Sequence, residues 1–313
     1  MPEFVLPVLE KRACDLVEAC EIVVIDDDGE IQGDAAGAEV VMVPWAVPQE
    51  TYEEILGVPT LRWVHTVSAG IDHALAALPH ASDVLITNAS GIFDVPIAEM
   101  VLAYMLVAVK RIPELLDQQR AHTWHLLRLR ELAGLTVGIV GLGHIGREVA
   151  LRCKAMGMEV LGVRKHPDRG AEFADKAYGP DELDVMIERS HFVVLALPVT
   201  PETRGLIGAA ELRRMRPDAW LINVARGAIL DQDALISALA SGRIAGAALD
   251  VFEEEPLPED SPLWDLDNVI ITPHNAWSTP YLKQREAELF LDNLERYQAG
   301  EALRNVIDPS RGY

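Results

Sequence analysis

Short apolar runs alternate with helix-length connections through the first third of the chain. Ile22–Ile25 sits inside a segment Glu21–Asp26 that ends in an acidic turn, and Val40–Val43 is stopped by Pro44. Arg62–Thr66 and Val84–Thr87 each run into a polar or glycine-containing turn. Four such runs predict strands of a mostly parallel sheet, with Ile71–Leu78 as a short helix among them. Pro96–Arg111 has a different texture. Its apolar residues fall on nearly every side, which predicts a helix buried on most faces, and a proline in the first turn is compatible with that start. The polar stretch 114–131, which carries Trp124, reads as a helix or loop laid over something.

A new rhythm begins at Leu135. Strand Thr136–Val140 runs into Gly-Leu-Gly-His-Ile-Gly, a helix continues to Met156, and a second strand follows at Glu159–Val163. Further apolar strands are predicted at His191–Leu197, Leu221–Val224, Ala245–Leu249 and Val269–Ile271, with helices at Ala209–Met215 and Asp231–Ser241. The segment 280–300 has helical apolar spacing and is expected to return to the first domain. The predicted architecture is α/β: two doubly wound parallel-sheet domains, the larger a Rossmann dinucleotide-binding domain (residues 91–279) inserted in the smaller (residues 1–90 and 280–313).

With 313 residues, half of them hydrophobic, the chain can bury two cores. The 49 acidic residues outweigh 27 basic ones, a net charge of −22. That surface repels nucleic acid phosphates and anionic membranes, so neither is expected as a partner. Three cysteines, Cys14, Cys20 and Cys153, make neither a disulfide framework nor a metal-ligand set. No apolar run is long enough for a bilayer and no leader pattern is visible, so a cytoplasmic protein without a metal is the expectation.

Gly141, Gly143 and Gly146 form G-x-G-x-x-G between a predicted strand and a predicted helix, the context that separates a dinucleotide loop from a chance match. The first glycine permits the tight turn, the second lets backbone approach a pyrophosphate, and the third lets the helix pack on the strand. The amides of His144 and Ile145, at the helix N-terminus, are expected to hold the phosphates. The end of the second strand selects the cofactor. A carboxylate there binds the ribose hydroxyls of NAD, but this chain has Val163-Arg164-Lys165-His166, and its first acid, Asp168, comes four residues late. Arg164 can fork onto a 2′-phosphate and Lys165 can add charge, so NADP is favoured and NAD remains possible.

Three segments place chemistry just beyond apolar strands: Arg226 after Leu221–Val224, an acidic cluster from Asp250 to Glu255 after Ala245–Leu249, and His274 after Val269–Ile271. Open α/β sheets bind ligands beyond the carboxyl ends of their strands. An arginine for a carboxylate, a histidine for proton transfer and an acid to orient that histidine suit the reduction of a 2-oxo acid.

The residues 67–72 (Val-Ser-Ala-Gly-Ile-Asp), the loop 138–146, the stretch from Leu197 to Ile207, Asn223–Gly227, Gly246–Pro256 and Thr272–His274 together resemble the D-isomer-specific 2-hydroxyacid dehydrogenase family over essentially the whole chain. The resemblance implies His274 as acid/base, Glu255 as its partner and Arg226 as the substrate-binding arginine. It also implies Asp250 at the nicotinamide carboxamide, Pro198 and Thr203 along the cofactor, and the amides of Ala69 and Gly70 on the substrate carboxylate. A homodimer built through the larger domain follows from the same resemblance. Trp124 loosely resembles an aromatic that reaches the neighbouring subunit's pocket, and Trp277 either walls the pocket or packs at the domain junction. Among family activities, a glyoxylate/hydroxypyruvate or broad 2-oxo acid reductase is expected. The alternatives are D-3-phosphoglycerate dehydrogenase, for which Arg62, His65 and His73 are the cationic candidates, and a non-catalytic, corepressor-like dinucleotide sensor.

Overall fold

The computed structural model describes residues 23–25, 30–44, 48–70, 84–169 and 171–307. The chain divides into two units, Met1–Phe93 with Ser278–Tyr313, and Asp94–Trp277. In the first, β1 (Val24–Ile25) pairs antiparallel with β2 (Ile31–Gln32), placing Ile25 opposite Ile31. Among the described residues this part of the first apolar run is therefore half of a hairpin. The few residues between Ile25 and Ile31 are too short a connection for a parallel crossover, which takes a dozen or more.

The parallel sheet of this unit consists of β3 (Val40–Val43), β4 (Trp63–Thr66) and β5 (Leu85–Asn88), in that order, with α1 (Gln49–Leu56) between the first two strands. The order is sequential, so among the described residues the reversal that defines a doubly wound sheet is not present here. Strand alternation sorts the side chains onto two faces. Val41, Val43, Val64 and Ile86 join Tyr52 and Ile55 of α1 in one core, whereas Met42 and Trp63 enter another. His65 shares the Trp63 side of β4 and is fully buried, its Nδ1 2.7 Å from Thr87 Oγ1. Burial pushes its pKa down to about 3. His65 is thus a neutral core residue, which removes it from the cationic phosphate candidates; Arg62 is exposed, and His73 and the Ile71–Leu78 helix lie outside the described residues.

The second unit opens with α2 (Asp94–Val109), which buries Ile97, Ala98, Val101, Tyr104, Met105 and Val109. Leu102, Leu106 and Val107 stay half-exposed, so burial is one-sided rather than nearly complete. The next helix, α3 (Ile112–Arg120), contains no buried residue, and every residue from Ala121 to Arg130 except Leu127 is exposed. The 114–131 stretch therefore buries no side chain of its own, although at its end Arg130 is tied to Val109, Lys110 and Asp218.

After this arm come β6 (Thr136–Val140), α4 (His144–Ala155), β7 (Glu159–Val163), β8 (Lys176–Tyr178), α5 (Leu183–Arg189), β9 (Phe192–Leu195), α6 (Ala209–Arg214), β10 (Trp220–Asn223), α7 (Gln232–Ala240), β11 (Gly246–Leu249) and β12 (Val269–Ile271). The strands form one seven-stranded sheet in the order β12-β11-β10-β9-β6-β7-β8, parallel throughout. The sequence order reverses at β6, which lies between β7 and β9, and this switch point is where an open α/β sheet leaves a crevice for a ligand. Asp231 caps α7 by accepting from the Ala234 amide at 2.9 Å, a contact worth about 1 kcal/mol.

Last in the chain, α8 (Leu282–Ala299) lays Ala287, Phe290 and Leu291 on the Met42 and Trp63 side of the first unit's sheet. Phe290 stacks on Trp63 with ring centroids 5.3 Å apart. Helices thus cover both faces of that sheet, as a parallel sheet requires. Glu286, on α8, is 5% exposed, and burial raises its pKa to about 7.

Candidate active site

The glycine loop joins β6 to α4 at the switch point. Gly141 has φ +99°, and a Cβ on it would lie 2.3 Å from the Ala196 carbonyl oxygen beyond β9, so the loops after β6 and β9 meet with no room for a side chain. At Gly146 a Cβ would strike the Gly141 carbonyl at 2.0 Å, which makes the close strand–helix approach depend on glycine. Gly143 differs: nothing lies within 4 Å of where its Cβ would be. That open position, at the N-cap of α4, is the space a pyrophosphate needs. No side chain caps the helix, and its backbone bonding begins with the Arg147 amide on the Gly143 carbonyl at 2.9 Å. The amides of His144 and Ile145 precede that bond and are left for a ligand. A dinucleotide therefore fits this loop. The His144 side chain is mostly exposed, with Nδ1 3.6 Å from Asp94 Oδ2; burial raises the Asp94 carboxyl, and the histidine opposes that rise.

On the far side of the glycine loop, the end of β7 carries Arg164, half-buried, and Lys165, exposed. The Arg164 amide donates to the Tyr178 carbonyl at 3.1 Å, so β8 fixes the backbone here. The loop after β9 is held by its own hydroxyl: Thr203 Oγ1 accepts from the Thr200 amide and donates to the Pro198 carbonyl, both at 2.7 Å. In the same loop the Thr200 hydroxyl, and to a lesser degree the Lys165 ammonium, hold the Glu202 carboxylate below its ordinary range.

The three residues expected to do chemistry follow β10, β11 and β12, consecutive neighbours in the sheet. Arg226 is half-buried in extended conformation, and its Nη1 donates to the Ala225 carbonyl at 2.8 Å. Asn223, wholly buried at the end of β10, holds the turn by donating to the Arg226 carbonyl at 3.0 Å and accepting from the Ala225 amide at 3.1 Å. A Cβ on Gly227 would lie 1.9 Å from the Phe252 carbonyl, so the arginine loop sits directly against the acidic loop. In that acidic loop the Glu255 carboxylate accepts from the Phe252 amide at 2.9 Å through Oε1 and meets His274 Nδ1 at 2.7 Å through Oε2. Both side chains are about one-third exposed. With Nδ1 occupied, Nε2 is the imidazole nitrogen that can reach a ligand.

Asp250, expected at the nicotinamide carboxamide, follows β11 directly. It is 2% exposed, and three donors from the next strand end take its carboxylate: the Thr272 hydroxyl and Asn275 amide on Oδ1 and the Ala276 amide on Oδ2. One acceptor position on Oδ2 is all that is left over. Sequence reasoning missed this task because it depends on backbone amides that no residue type reveals. Trp277 is half-buried, with its indole N–H on the His274 carbonyl at 2.7 Å. Trp124 is 92% exposed and touches none of these groups. In the other unit, the Ser68 hydroxyl donates to the Gly70 carbonyl and Asn88 Nδ2 to the Ala69 carbonyl, both at 2.7 Å. These bonds fix the turn at 68–70, whose substrate role stays the one the resemblance implies. Cys153 is buried, and burial pushes its thiol pKa up to about 12. Among the described residues no group of three or more His, Cys, Asp or Glu side chains could hold a metal ion, and no helix is long and apolar enough to cross a membrane.

A seven-stranded parallel sheet with a glycine loop at its switch point defines a dinucleotide-binding α/β protein. The pattern of the D-isomer specific 2-hydroxyacid dehydrogenase NAD binding domain is matched over residues 102–276. A D-isomer specific 2-hydroxyacid dehydrogenase from Xanthobacter autotrophicus, solved in complex with NADPH, is 34% identical and superposes with a TM-score of 0.87, covering 100% of this chain and 96% of that one. An NADPH-dependent glyoxylate/hydroxypyruvate reductase from Sinorhizobium meliloti, solved with NADP and sulfate, is 30% identical with a TM-score of 0.83, covering 100% and 97%. A D-3-phosphoglycerate dehydrogenase from Methanocaldococcus jannaschii is 33% identical over 250 residues, 79% of this chain and 48% of the relative, so the chain spans about half the length of that protein. The chain belongs to the D-isomer-specific 2-hydroxyacid dehydrogenase family.

Proposed function

We propose that the protein reduces a 2-oxo acid to the D-2-hydroxy acid with NADPH as the favoured reductant and NADH as the second. The observation that carries this reading is the 2.7 Å pair between His274 and Glu255 at one strand end, beside the Arg226 loop and in the same sheet as the open glycine loop. Arg226 binds the substrate carboxylate through its guanidinium fork. His274, protonated and facing Glu255 through Nδ1, presents Nε2–H to the 2-oxo oxygen. It stabilises the charge that develops there and then gives up the proton. Glu255 fixes the ring and supplies the counter-charge for the imidazolium. The reduced dinucleotide, when bound, supplies the hydride; the amides of His144 and Ile145 hold its pyrophosphate beside Gly143, with Pro198 and Thr203 along the β9 loop.

Glyoxylate and hydroxypyruvate are the proposed substrates, in keeping with the similarity to the Sinorhizobium enzyme. NADPH oxidation should be followed with glyoxylate, hydroxypyruvate, pyruvate and phenylpyruvate, and the reverse reaction with D-3-phosphoglycerate. The highest kcat/KM is expected with one of the first two. Turnover of D-3-phosphoglycerate alone, or of none of these acids, would overturn the assignment.

We also propose a homodimer. Ile112, Leu116, Trp124, Leu126 and Leu129 are exposed on the 112–131 arm, Trp124 and Leu126 by more than nine-tenths. An apolar row of that kind, unsupported by its own unit, is better explained by a second copy than by solvent. Sedimentation at micromolar concentration should give twice the 34.4 kDa chain mass, and a monomer there would contradict the proposal.

A further inference from the structure

His274 is one of five described non-glycine residues with positive φ, at +48°, a left-handed conformation that its Cβ disfavours. Something must hold it there, and the bonds that do so tie the short turn 272–277 to itself and to Asp250. The His274 amide donates to the Asp250 carbonyl at 2.8 Å. Its carbonyl accepts the Trp277 indole N–H at 2.7 Å. Between these two ties, the Asn275 and Ala276 amides both end on the Asp250 carboxylate at 2.9 Å. The Thr272 hydroxyl reaches the same carboxylate from the other side, and Thr272 is bonded in turn to the Tyr104 hydroxyl from α2. The turn from Thr272 to Trp277 is thus wrapped on one buried carboxylate and closed by an indole. The direction in which the His274 ring leaves the backbone, and so its alignment with Glu255, is set by that closure.

We propose that Trp277 is a positioning residue for His274, acting through the His274 carbonyl rather than on the substrate, with Asp250 as the anchor of the turn and Tyr104–Thr272 as its buttress. This rests on the proposed role of His274 as the proton donor. Neither tie touches a reacting atom. Each instead fixes the backbone torsion that aims one, and a misplacement of about 1 Å at a reacting group can cost on the order of 100-fold in rate.

The test is Trp277→Phe, which keeps an aromatic ring and deletes the N–H. Steady-state kinetics are measured over glyoxylate, hydroxypyruvate, pyruvate and phenylpyruvate at saturating NADPH. The expected result is a fall in kcat of about tenfold, similar for every acid, with each KM within about twofold of wild type. A residue that merely walls the pocket would instead change KM and reorder the acids; that outcome, or an unchanged kcat, overturns the proposal. If Trp277→Phe lacks a cooperative melting transition, Tyr104→Phe is read by the same criteria, since it unties Thr272 and leaves both rings in place. His274→Ala is run alongside. An inactive His274→Ala with a fully active Trp277→Phe rejects the positioning role alone, whereas an active His274→Ala rejects the reading beneath it.

Discussion

His274→Ala is expected to lower kcat for oxo-acid reduction by about 100- to 10,000-fold, the range a positioned general acid contributes, while leaving NADPH affinity within about twofold. The separation follows from where the histidine sits. It belongs to the end of β12 and is paired with Glu255, whereas the dinucleotide loop lies between β6 and α4, four places along the sheet. Turnover at saturating substrate and quenching or enhancement of NADPH fluorescence on binding measure the two quantities independently; near-normal turnover in the variant rejects the assignment. Glu255→Gln keeps the bond to Nδ1 but removes the counter-charge. The variant thus separates the orientation of the ring from the charge opposite it, and its kcat is expected to fall with each KM nearly unchanged.

The glycine loop and the three strand ends were legible because each is a residue type at a place the fold makes special. Gly141 has no alternative, since its turn needs positive φ and the Ala196 carbonyl fills the space of a side chain. Arg226, Glu255 and His274 are polar residues after apolar strands, and a parallel sheet brings such ends to one edge. What stayed hidden was set by pairing rather than by residue type. Lys176–Tyr178 is only three residues long with a charged first position, and it is a strand because β7 offers an edge. Val24–Ile25 pairs antiparallel with Ile31–Gln32, a partner that an apolar run alone does not announce. His65 reads as a surface cation from its polarity, yet lies in a core beside Trp63 and Phe290. The tasks of Asp250 and Trp277 are invisible for the same reason, because their partners are the main-chain groups of residues 274–276.

Wild-type enzyme is expected to prefer NADPH to NADH by about 10- to 150-fold in kcat/KM at fixed oxo acid, and Arg164→Asp to reverse that order. The estimate takes a forked, partly exposed arginine contact with the 2′-phosphate as worth about 1.5–3 kcal/mol. Arg164 stands where an NAD-binding acid belongs, and its backbone is pinned by the Tyr178 carbonyl on β8, so a residue placed there keeps the same starting point for its side chain. Aspartate at that point repels the phosphate and offers an acceptor to the NADH ribose hydroxyls. Lys165→Ala should matter less, because the ammonium is exposed and screened, and the Glu202 carboxylate already draws on its charge. The measurement is the ratio of kcat/KM for the two reductants in wild type, Arg164→Asp and Lys165→Ala. A wild-type preference for NADH, or undiminished NADPH efficiency in Arg164→Asp, would mean that the ribose is held by backbone alone and that the basic pair after β7 faces solvent. Raised salt separates the two pictures further: a phosphate held by exposed cations should lose NADPH efficiency with ionic strength while NADH efficiency stays nearly constant.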